Sequence, residues 1–197
     1  MNIKRCIICC IISKFFTYLL WRIYKFDRWH ASAPWYCRPY KKQVVQLASS
    51  ISPDSVLEIG CGLGDIISRI RAKERYGFDI DENAIKAANM IHNNGVKFKV
   101  ASLFDIYKIK ELNIKVDLII MVNWPHGLSF DVIKRAIEDL KSELEFKYLL
   151  IDEIKHGVKG YKFYHSIEFL SKIGKIIKTV KAFDNVRNLH LIQINSK

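Results

Sequence analysis

The sequence predicts an α/β fold, with a doubly wound sheet of seven strands that is mostly parallel, an antiparallel last strand, and helices on both faces. Three observations lead to this prediction. An apolar strand at residues 56–59 runs directly into the alternating glycines Gly60, Gly62 and Gly64. A second strand pattern, residues 75–81, contains Asp79. Short apolar strand patterns then alternate with helical patterns as far as the C-terminus, which is typical of parallel sheets.

The elements follow one another in the order that such a sheet requires. The predicted strands span residues 56–59, 75–81, 96–100, 115–122, 147–152, 176–183 and 189–194. Helices are predicted to start at Pro39, to follow the glycine loop from Ile66, and to span residues 82–92, 129–144 and 165–173. The continuous apolar run near residue 120 is typical of a strand buried on both faces. Residues 40–197 are therefore predicted to form one domain, preceded by an apolar and basic helix and an aromatic segment in residues 1–39.

The glycine loop indicates a site for a nucleotide-like ligand. Glycine has no Cβ, so the backbone can turn sharply and approach a ligand closely, and a helix starting at Ile66 would direct its positive N-terminus at that ligand. A dinucleotide fingerprint requires a glycine where this chain has Asp65, so NAD is the poorer fit. Asp79 lies nineteen residues after Gly60, where a carboxylate can accept hydrogen bonds from both ribose hydroxyls.

Residues 58–64 (Glu-Ile-Gly-Cys-Gly-Leu-Gly) and 77–85 resemble motif I and the second motif of the class I S-adenosylmethionine-dependent methyltransferases. The resemblance implies a Rossmann-like fold over roughly residues 40–197 and S-adenosyl-L-methionine as the cofactor. It also implies that Asp79 binds the ribose and that Ile80 lies against the adenine. The predicted cofactor-binding residues are Glu58, Gly60, Cys61, Gly62, Gly64, Asp79, Ile80, Ser102, Leu103, Asn123 and Arg38.

One position departs from the family pattern. After the third strand the family carries an aspartate that binds the adenine amino group, whereas this chain has Ala101 and Ser102. A serine hydroxyl can accept the same hydrogen bond, although without charge. Asp105, three residues further on, is the alternative.

The end of the fourth strand is the predicted catalytic position. Ligands of open parallel sheets bind beyond the carboxyl ends of the strands, and the resemblance implies that Asn123, Trp124 and His126 face the substrate there. A sulfonium methyl is already activated, so the protein has to align the acceptor and, for a hydroxyl, remove its proton. His126 is the predicted base, because its ordinary pKa is near neutrality, and a purely structural His126 is the alternative. The second choices for this role are His156, Tyr161 and His165.

The positive charge of the chain is concentrated at its N-terminus. Residues 1–50 carry nine basic side chains against one acidic one, which is about two thirds of the net charge of +12. On a helix covering residues 3–25, one side carries Lys4, Lys14, Tyr18, Arg22 and Lys25, and the opposite side carries Ile8, Ile12, Phe15, Phe16, Leu19 and Ile23. This pattern favours a helix lying on the cytoplasmic surface of a membrane, and a helix that covers the domain is the equal alternative. A spanning helix is disfavoured by Lys14 near its middle, and a cleaved signal peptide by Pro34.

The segment 26–40 is dense in aromatic and basic residues and is predicted to fold over the mouth of the site. Trp29, His30, Trp35 and Tyr36 can stack on a sugar or an aromatic acceptor, and Arg38 can pair with the cofactor carboxylate. The alternative is that these aromatic side chains only attach the first helix to the sheet.

The five cysteines do not predict a metal site. Cys6, Cys9 and Cys10 include one Cys-x-x-Cys spacing but no second pair, and Cys37 and Cys61 are distant in sequence. Reduced thiols in a cytoplasmic protein account for all five.

Three classes of function follow from these patterns. The first is a methyltransferase acting on a small-molecule or glycan/lipid-linked acceptor, by O-methylation. The second is an RNA or protein methyltransferase, which would need a basic face around the catalytic mouth, whereas the sequence places its basic charge at the N-terminus. The third is a non-catalytic partner subunit with a cofactor fold, which the intact glycines and Asp79 argue against.

Overall fold

The computed structural model describes residues 3–105, 109–110 and 115–194, with side chains from residue 7 onward. The helices are α1 Ile3–Tyr24, α2 Arg28–Ser32, α3 Tyr40–Ser49, α4 Glu82–Ile91, α5 Phe130–Glu143 and α6 Ile167–Leu170. The strands are β1 Ser55–Ile59, β2 Glu74–Asp79, β3 Val96–Val100, β4 Leu118–Met121, β5 Tyr148–Ile154, β6 Lys175–Lys181 and β7 Arg187–Gln193.

The seven strands form one sheet in the order β3-β2-β1-β4-β5-β7-β6. Strands β1 to β5 pair in parallel, and β7 is antiparallel to both of its neighbours, β5 and β6. The predicted fold class, with its antiparallel last strand, is confirmed. Because the strand order reverses between β1 and β4, their connections leave in opposite directions and open a crevice at the carboxyl ends of these strands.

The sheet is packed on both faces. Ile119 and Met121 of β4 lie in one core cluster with Ile137 of α5, whereas Leu118 and Ile120 lie in a second cluster on the opposite face with residues of α3 and α4. All four β4 side chains are fully buried, as their continuous apolar run predicts. Burial of each such side chain contributes about 1.5–3 kcal/mol, so the strand that leads to the predicted catalytic position is firmly held.

Two predicted helices differ from the structure. The segment after the glycine loop forms only a 3₁₀ turn, Ile67–Arg69, because just nine residues separate Gly64 from β2. So short a turn has no helix dipole to offer a ligand, and that part of the prediction is wrong. The helix predicted over residues 165–173 is the single turn Ile167–Leu170, and the chain turns again before β6.

Helix α1 packs one side against α2, the turn at residues 35–37 and α4. Its other side is apolar and faces solvent, with side chains between 41% and 71% exposed: Ile8, Ile12, Phe15, Phe16, Leu19 and Ile23. These are the residues that the sequence pattern groups together. By length and composition residues 7–24 could cross a membrane, a test that an N-terminal signal sequence also passes.

Cys10 and Cys37 form a disulfide, so the prediction that all five cysteines are reduced thiols is wrong. The packing of α1 on the turn at residues 35–37 brings the two sulfur atoms together across 27 residues, a proximity that no local pattern reveals. A hydrogen bond of 3.0 Å from the Thr17 hydroxyl to the Ala31 carbonyl holds α1 to α2 as well. The N-terminal helix is thus attached to the rest of the chain at two points.

Glu58 is a buried carboxyl at the end of β1. Its Oε2 accepts a hydrogen bond of 2.9 Å from the Ile67 backbone N–H and so holds the 3₁₀ turn against the sheet. Burial raises the pKa of Glu58 from its usual 4.5 to about 8, although the hydrogen bond from Ile67 opposes this change. The folded protein therefore holds Glu58 protonated at neutral pH.

We predict that replacing Glu58 removes a pH dependence of stability. Because the folded pKa lies above the unfolded one, the stability linked to Glu58 is fully present below about pH 4.5 and is lost as the pH rises through 8. Glu58→Gln should flatten the fall of the unfolding midpoint between pH 5 and 9, measured by circular dichroism. Glu82→Gln, on the exposed side of α4, is the matched control. Parallel curves for the Glu58 variant and the parent would contradict the prediction.

Candidate cofactor and acceptor site

A cavity of about 800 Å³ lies at the carboxyl ends of β1, β2 and β4. This volume is within the range of small-molecule sites. The predicted site residues that line it are Glu58, Gly60, Cys61, Gly62, Asp79, Ile80, Ser102, Leu103, Asn123 and Trp124. Gly64, Arg38 and His126 are not among its lining residues.

The glycine loop has a backbone that only glycine adopts readily. Gly60, Gly62 and Gly64 have φ angles of 75°, 52° and 74°. A Cβ on Gly60 would collide with the indole of Trp124, and a Cβ on Gly62 would lie 2.6 Å from Nδ1 of His30. Gly64 packs under the ring of Phe98, which explains why it shapes the loop without lining the cavity.

Asp79 holds the glycine loop and faces the cavity. Its Oδ2 accepts a hydrogen bond of 2.7 Å from the Gly62 N–H, and its Oδ1 accepts one of 3.0 Å from the Asp81 N–H. Each carboxylate oxygen can accept a further hydrogen bond, so both remain available to a pair of hydroxyls. This geometry suits the ribose role that the sequence predicts for Asp79.

The loop after β3 has a different arrangement from the predicted one. Oδ2 of Asp105 accepts a hydrogen bond of 2.7 Å from the Ser102 backbone N–H, so Asp105 braces the loop rather than lining the cavity. The Ser102 hydroxyl oxygen accepts a hydrogen bond of 3.2 Å from the Phe104 N–H. Phe104 itself lines the cavity and is 56% exposed, a contact that the sequence analysis missed. An aromatic side chain directly after Ser102 and Leu103 was the available signal.

The N-terminal segment supplies one wall of the cavity. Trp29 and His30 of α2 line it, as the sequence predicts for a covering segment. His30 Nε2 lies 4.0 Å from Asp79 Oδ1 and also 4.0 Å from Asp81 Oδ2. The Asp27 backbone N–H donates a hydrogen bond of 2.7 Å to Asp81 Oδ2, which fixes α2 at this position.

The other predicted covering residues lie outside the lining. The guanidinium of Arg38 lies 5.5 Å from the ring centre of Trp29, and the ring of Trp35 packs under the guanidinium of Arg69. Tyr36 is half exposed. Lys41, the second residue of α3, does line the cavity, and its Nζ lies 2.7 Å from Asp65 Oδ2.

Trp124 and His126 face different directions after β4. The Trp124 Nε1–H donates a hydrogen bond of 2.5 Å to the Ile59 carbonyl, and its ring lies over Gly60. The His126 ring is 1% exposed, and its Nε2 lies 3.1 Å from Asp152 Oδ1. The role of His126 as a base remains a prediction, and this burial favours a positioning role instead.

A buried ion pair stands behind this part of the cavity. Nη1 of Arg187 in β7 donates a hydrogen bond of 2.6 Å to Asp152 Oδ2 in β5, and the two residues are 1% and 0% exposed. Burial raises the pKa of Asp152, but the hydrogen bond from His126 and the charges of His126 and Arg187 outweigh this and lower it overall. Sequence reasoning missed the pair, although single charged residues within apolar strands were the available signal.

Asn123 joins the ion pair to the cavity. Its backbone N–H donates a hydrogen bond of 2.8 Å to Asp152 Oδ1, and its φ of 79° is in the left-handed region that asparagine tolerates better than most residues. Its Oδ1 accepts a hydrogen bond of 3.1 Å from Arg187 Nη1. Asn123 also lines the cavity, as the sequence predicts.

Comparisons with known proteins agree with this arrangement. Residues 52–184 match the family model described as a methyltransferase domain. A curated relative is the ribosomal RNA small subunit methyltransferase A of Wolbachia sp. subsp. Brugia malayi (strain TRS), 24% identical over 139 residues. The match covers 67% of this chain and 53% of that relative, so the chain spans about half of the relative's length.

Two solved structures share the fold. The N-methyltransferase NodS of Bradyrhizobium japonicum WM9, in complex with S-adenosyl-L-homocysteine, superposes with a TM-score of 0.65 at 16% identity, covering 80% of this chain and 86% of NodS. The magnesium protoporphyrin IX methyltransferase ChlM of Synechocystis PCC 6803, with bound SAH, superposes with a TM-score of 0.64 at 15% identity, covering 94% and 99%.

The predicted family is therefore confirmed by the match over residues 52–184 and by the seven-stranded sheet. Solved relatives of this fold contain S-adenosylmethionine or its product. The chain belongs to the methyltransferase-domain family.

Proposed function

We propose that the protein transfers the methyl group of S-adenosylmethionine to an oxygen atom of a small-molecule or glycan/lipid-linked acceptor. The observation that supports this is a single cavity lined by two groups of residues. The glycine loop and Asp79 form the first group, and residues after β4 form the second: Val122, Asn123, Trp124, Gly127 and Leu128. A partly enclosed cavity with Trp29, Phe104 and Leu128 in its walls suits a compact, largely apolar acceptor.

The chain's residues would bind and align the two substrates. We assign cofactor binding to the glycine loop, Asp79 and Ile80, with Ser102 and Leu103 toward the adenine. The acceptor oxygen would attack the methyl carbon from the side opposite the sulfur, and the electron pair of the breaking carbon–sulfur bond would go to the sulfur. Alignment of this kind accounts for a large part of the rate enhancement in such transfers.

An RNA acceptor is the second candidate. Its support is the ribosomal RNA methyltransferase relative together with a separate open groove lined by four basic residues and only one acidic residue, Asp54. The basic residues are Arg69, Arg71, Lys73 and Arg75. Their charge is partly used within the protein, since Lys73 pairs with Asp54 and Arg69 with Asp65. This observation is weaker than the enclosed cavity, because a surface groove of this kind fits any anionic partner.

A second proposal concerns where in the cell the protein acts. We propose that α1 lies on the cytoplasmic surface of a membrane, with its exposed apolar side in the lipid and Lys14, Arg22 and Lys25 near the anionic headgroups. An exposed apolar helix face flanked by basic residues is typical of interfacial helices. The cofactor is a cytoplasmic metabolite, which supports the cytoplasmic side of the membrane.

We predict that Asp79→Ala weakens binding of S-adenosylhomocysteine at least ~100-fold in calorimetry, because two hydrogen bonds to a charged acceptor are lost. Asp79→Asn should weaken it less, since one amide oxygen remains. Glu82→Ala, exposed on α4, is the control and should bind like the parent. Unchanged affinity of Asp79→Ala would remove the cofactor assignment of this residue.

We predict that the intact protein incorporates labelled methyl groups from S-adenosylmethionine into a membrane-lipid or glycan extract but not into total RNA. Asp79→Ala should abolish incorporation into every extract. Label in the RNA alone would establish the second candidate in place of the first.

We predict that the double variant Phe15→Glu/Phe16→Glu loses binding to anionic phospholipid vesicles in a flotation assay. Two charges would then have to enter the lipid in place of two apolar rings, each worth about 1.5–3 kcal/mol of burial. Val132→Glu/Ile167→Glu is the matched control, since both residues are exposed apolar positions outside α1. Equal binding of the two double variants would exclude the α1 contact.

A further inference from the structure

The side-chain amide of Asn123 has one possible orientation. Nη1 of Arg187 lies 3.1 Å from its Oδ1, and a guanidinium can only donate hydrogen bonds, so the atom facing it has to be the amide oxygen. The Tyr161 hydroxyl accepts a hydrogen bond of 2.9 Å from Arg187 Nη2, which leaves its own proton to donate toward Asn123 Oδ1 at 3.4 Å. Both neighbours therefore require the oxygen, and the Nδ2 amine points away from them.

Arg187 cannot move to relax this requirement. Besides its contact with Asp152, its Nε donates a hydrogen bond of 2.8 Å to Asp184 Oδ2, and its guanidinium lies 4.0 Å from the ring centre of Tyr40. A turned Asn123 amide would place its NH₂ group against a buried cation and leave a donor unsatisfied. The ion pair between Asp152 and Arg187 thus determines which atom of the Asn123 amide faces the cavity.

The Nδ2 amine of Asn123 carries two N–H donors. Nδ2 of Asn123 has no hydrogen-bond partner among residues 3–105, 109–110 and 115–194, and Asn123 is partly exposed where it lines the cavity. The hydroxyl of Tyr40, another lining residue, likewise makes no hydrogen bond within this described part of the chain. Burial raises the pKa of Tyr40, so its hydroxyl stays protonated at neutral pH and can donate too.

Each acidic side chain that lines the cavity accepts a hydrogen bond from a described residue other than Asn123. The carboxylates that line it belong to the glycine loop, to the end of β2 and to the segments that touch them: Asp27, Glu58, Asp65, Asp79 and Asp81. Asp152 is behind Asn123, with Oδ1 bonded to Asn123 and His126 and Oδ2 to Arg187. A cationic amine beside the Asn123 amide would therefore meet N–H donors, whereas an anionic oxygen can accept hydrogen bonds from them.

We propose that Asn123 donates a hydrogen bond to the acceptor atom itself and that this atom is an anionic oxygen, a carboxylate or a phenolate. The inference rests on the proposed function and gives its acceptor a chemical class. An oxygen lone pair forms the new bond to the methyl carbon, the carbon–sulfur bond breaks, and its electron pair stays on sulfur. An anionic oxygen has no proton to lose, so the reaction needs no base, in agreement with the burial of His126.

The test compares two probes that differ in the head group alone, 4-octylbenzoate and 4-octylbenzylamine. Calorimetry measures their binding to the full chain saturated with S-adenosylhomocysteine. We expect the benzoate to bind at least tenfold more tightly than the amine, because hydrogen bonds to a charged acceptor are stronger than those to a neutral one. Equal affinities, tighter binding of the amine, or no binding of the benzoate would overturn the inference.

Asn123→Asp is the decisive variant. Aspartate has the same shape, tolerates the positive φ and still accepts from Arg187, but it presents an oxygen to the cavity in place of two N–H donors. We expect benzoate binding to fall at least tenfold and benzylamine binding to rise, with both probes measured at saturating S-adenosylhomocysteine. Asn83→Asp adds the same charge outside the cavity and should change neither probe. Unchanged benzoate binding in Asn123→Asp would overturn the inference.

Arg187→Lys tests the positioning role. Lysine keeps the charge beside Asp152 but loses the fork that reaches Asn123 and Tyr161. We expect a threefold to tenfold loss of benzoate binding with S-adenosylhomocysteine affinity retained, and addition of Asn123→Asp to this variant should have little further effect. Full additivity of the two changes would show that Arg187 does not act through Asn123. Failure of the parent to bind S-adenosylhomocysteine would instead overturn the proposed function, and this inference with it.

Discussion

The ion pair between Asp152 and Arg187 is the interaction on which the site depends. Burying either charge alone is costly, so the two residues have to meet when β7 inserts beside β5. A slip of β7 by one residue would turn Arg187 to the other face of the sheet and leave Asp152 uncompensated. The same pair anchors the chain after β4, because Asp152 accepts from the Asn123 backbone. Sheet register and site geometry are therefore fixed by one contact.

The parts of this structure that were predictable from sequence are the ones set by local patterns. The β3 strand, the glycine loop and the Asp79 position depend on residues near one another in the chain. Asn123 and Arg187 are separated by 64 residues, and no periodicity links them. The position of His126 was predictable, but not the inward turn of its ring, since that is decided by Asp152. The helix expected after the glycine loop failed for a different reason, the short connection to β2.

The N-terminal segment is part of the site, although the family match begins only at residue 52. Trp29 and His30 line the cavity because Asp27 attaches α2 to Asp81 at the start of α4. The division at residue 40 stays a prediction, and the shared cavity wall shows that the two regions pack closely. Helix α1 packs against α2, and α2 forms part of the cavity wall. A membrane contact of α1 would therefore be mechanically connected to the cavity through α2.

Because Arg187 in β7 orients Asn123, the selectivity for the acceptor and the affinity for the cofactor depend on different parts of the chain. The residues that we assign to the cofactor lie between 58 and 103, whereas Arg187, which contacts Asn123, lies in β7. Mutations in β7 would therefore alter which acceptors are methylated and leave the affinity for the cofactor unchanged. In directed evolution toward new acceptors, a mutant library at Arg187 and neighbouring positions would change acceptor selectivity in ways that substitutions of cavity-lining residues do not.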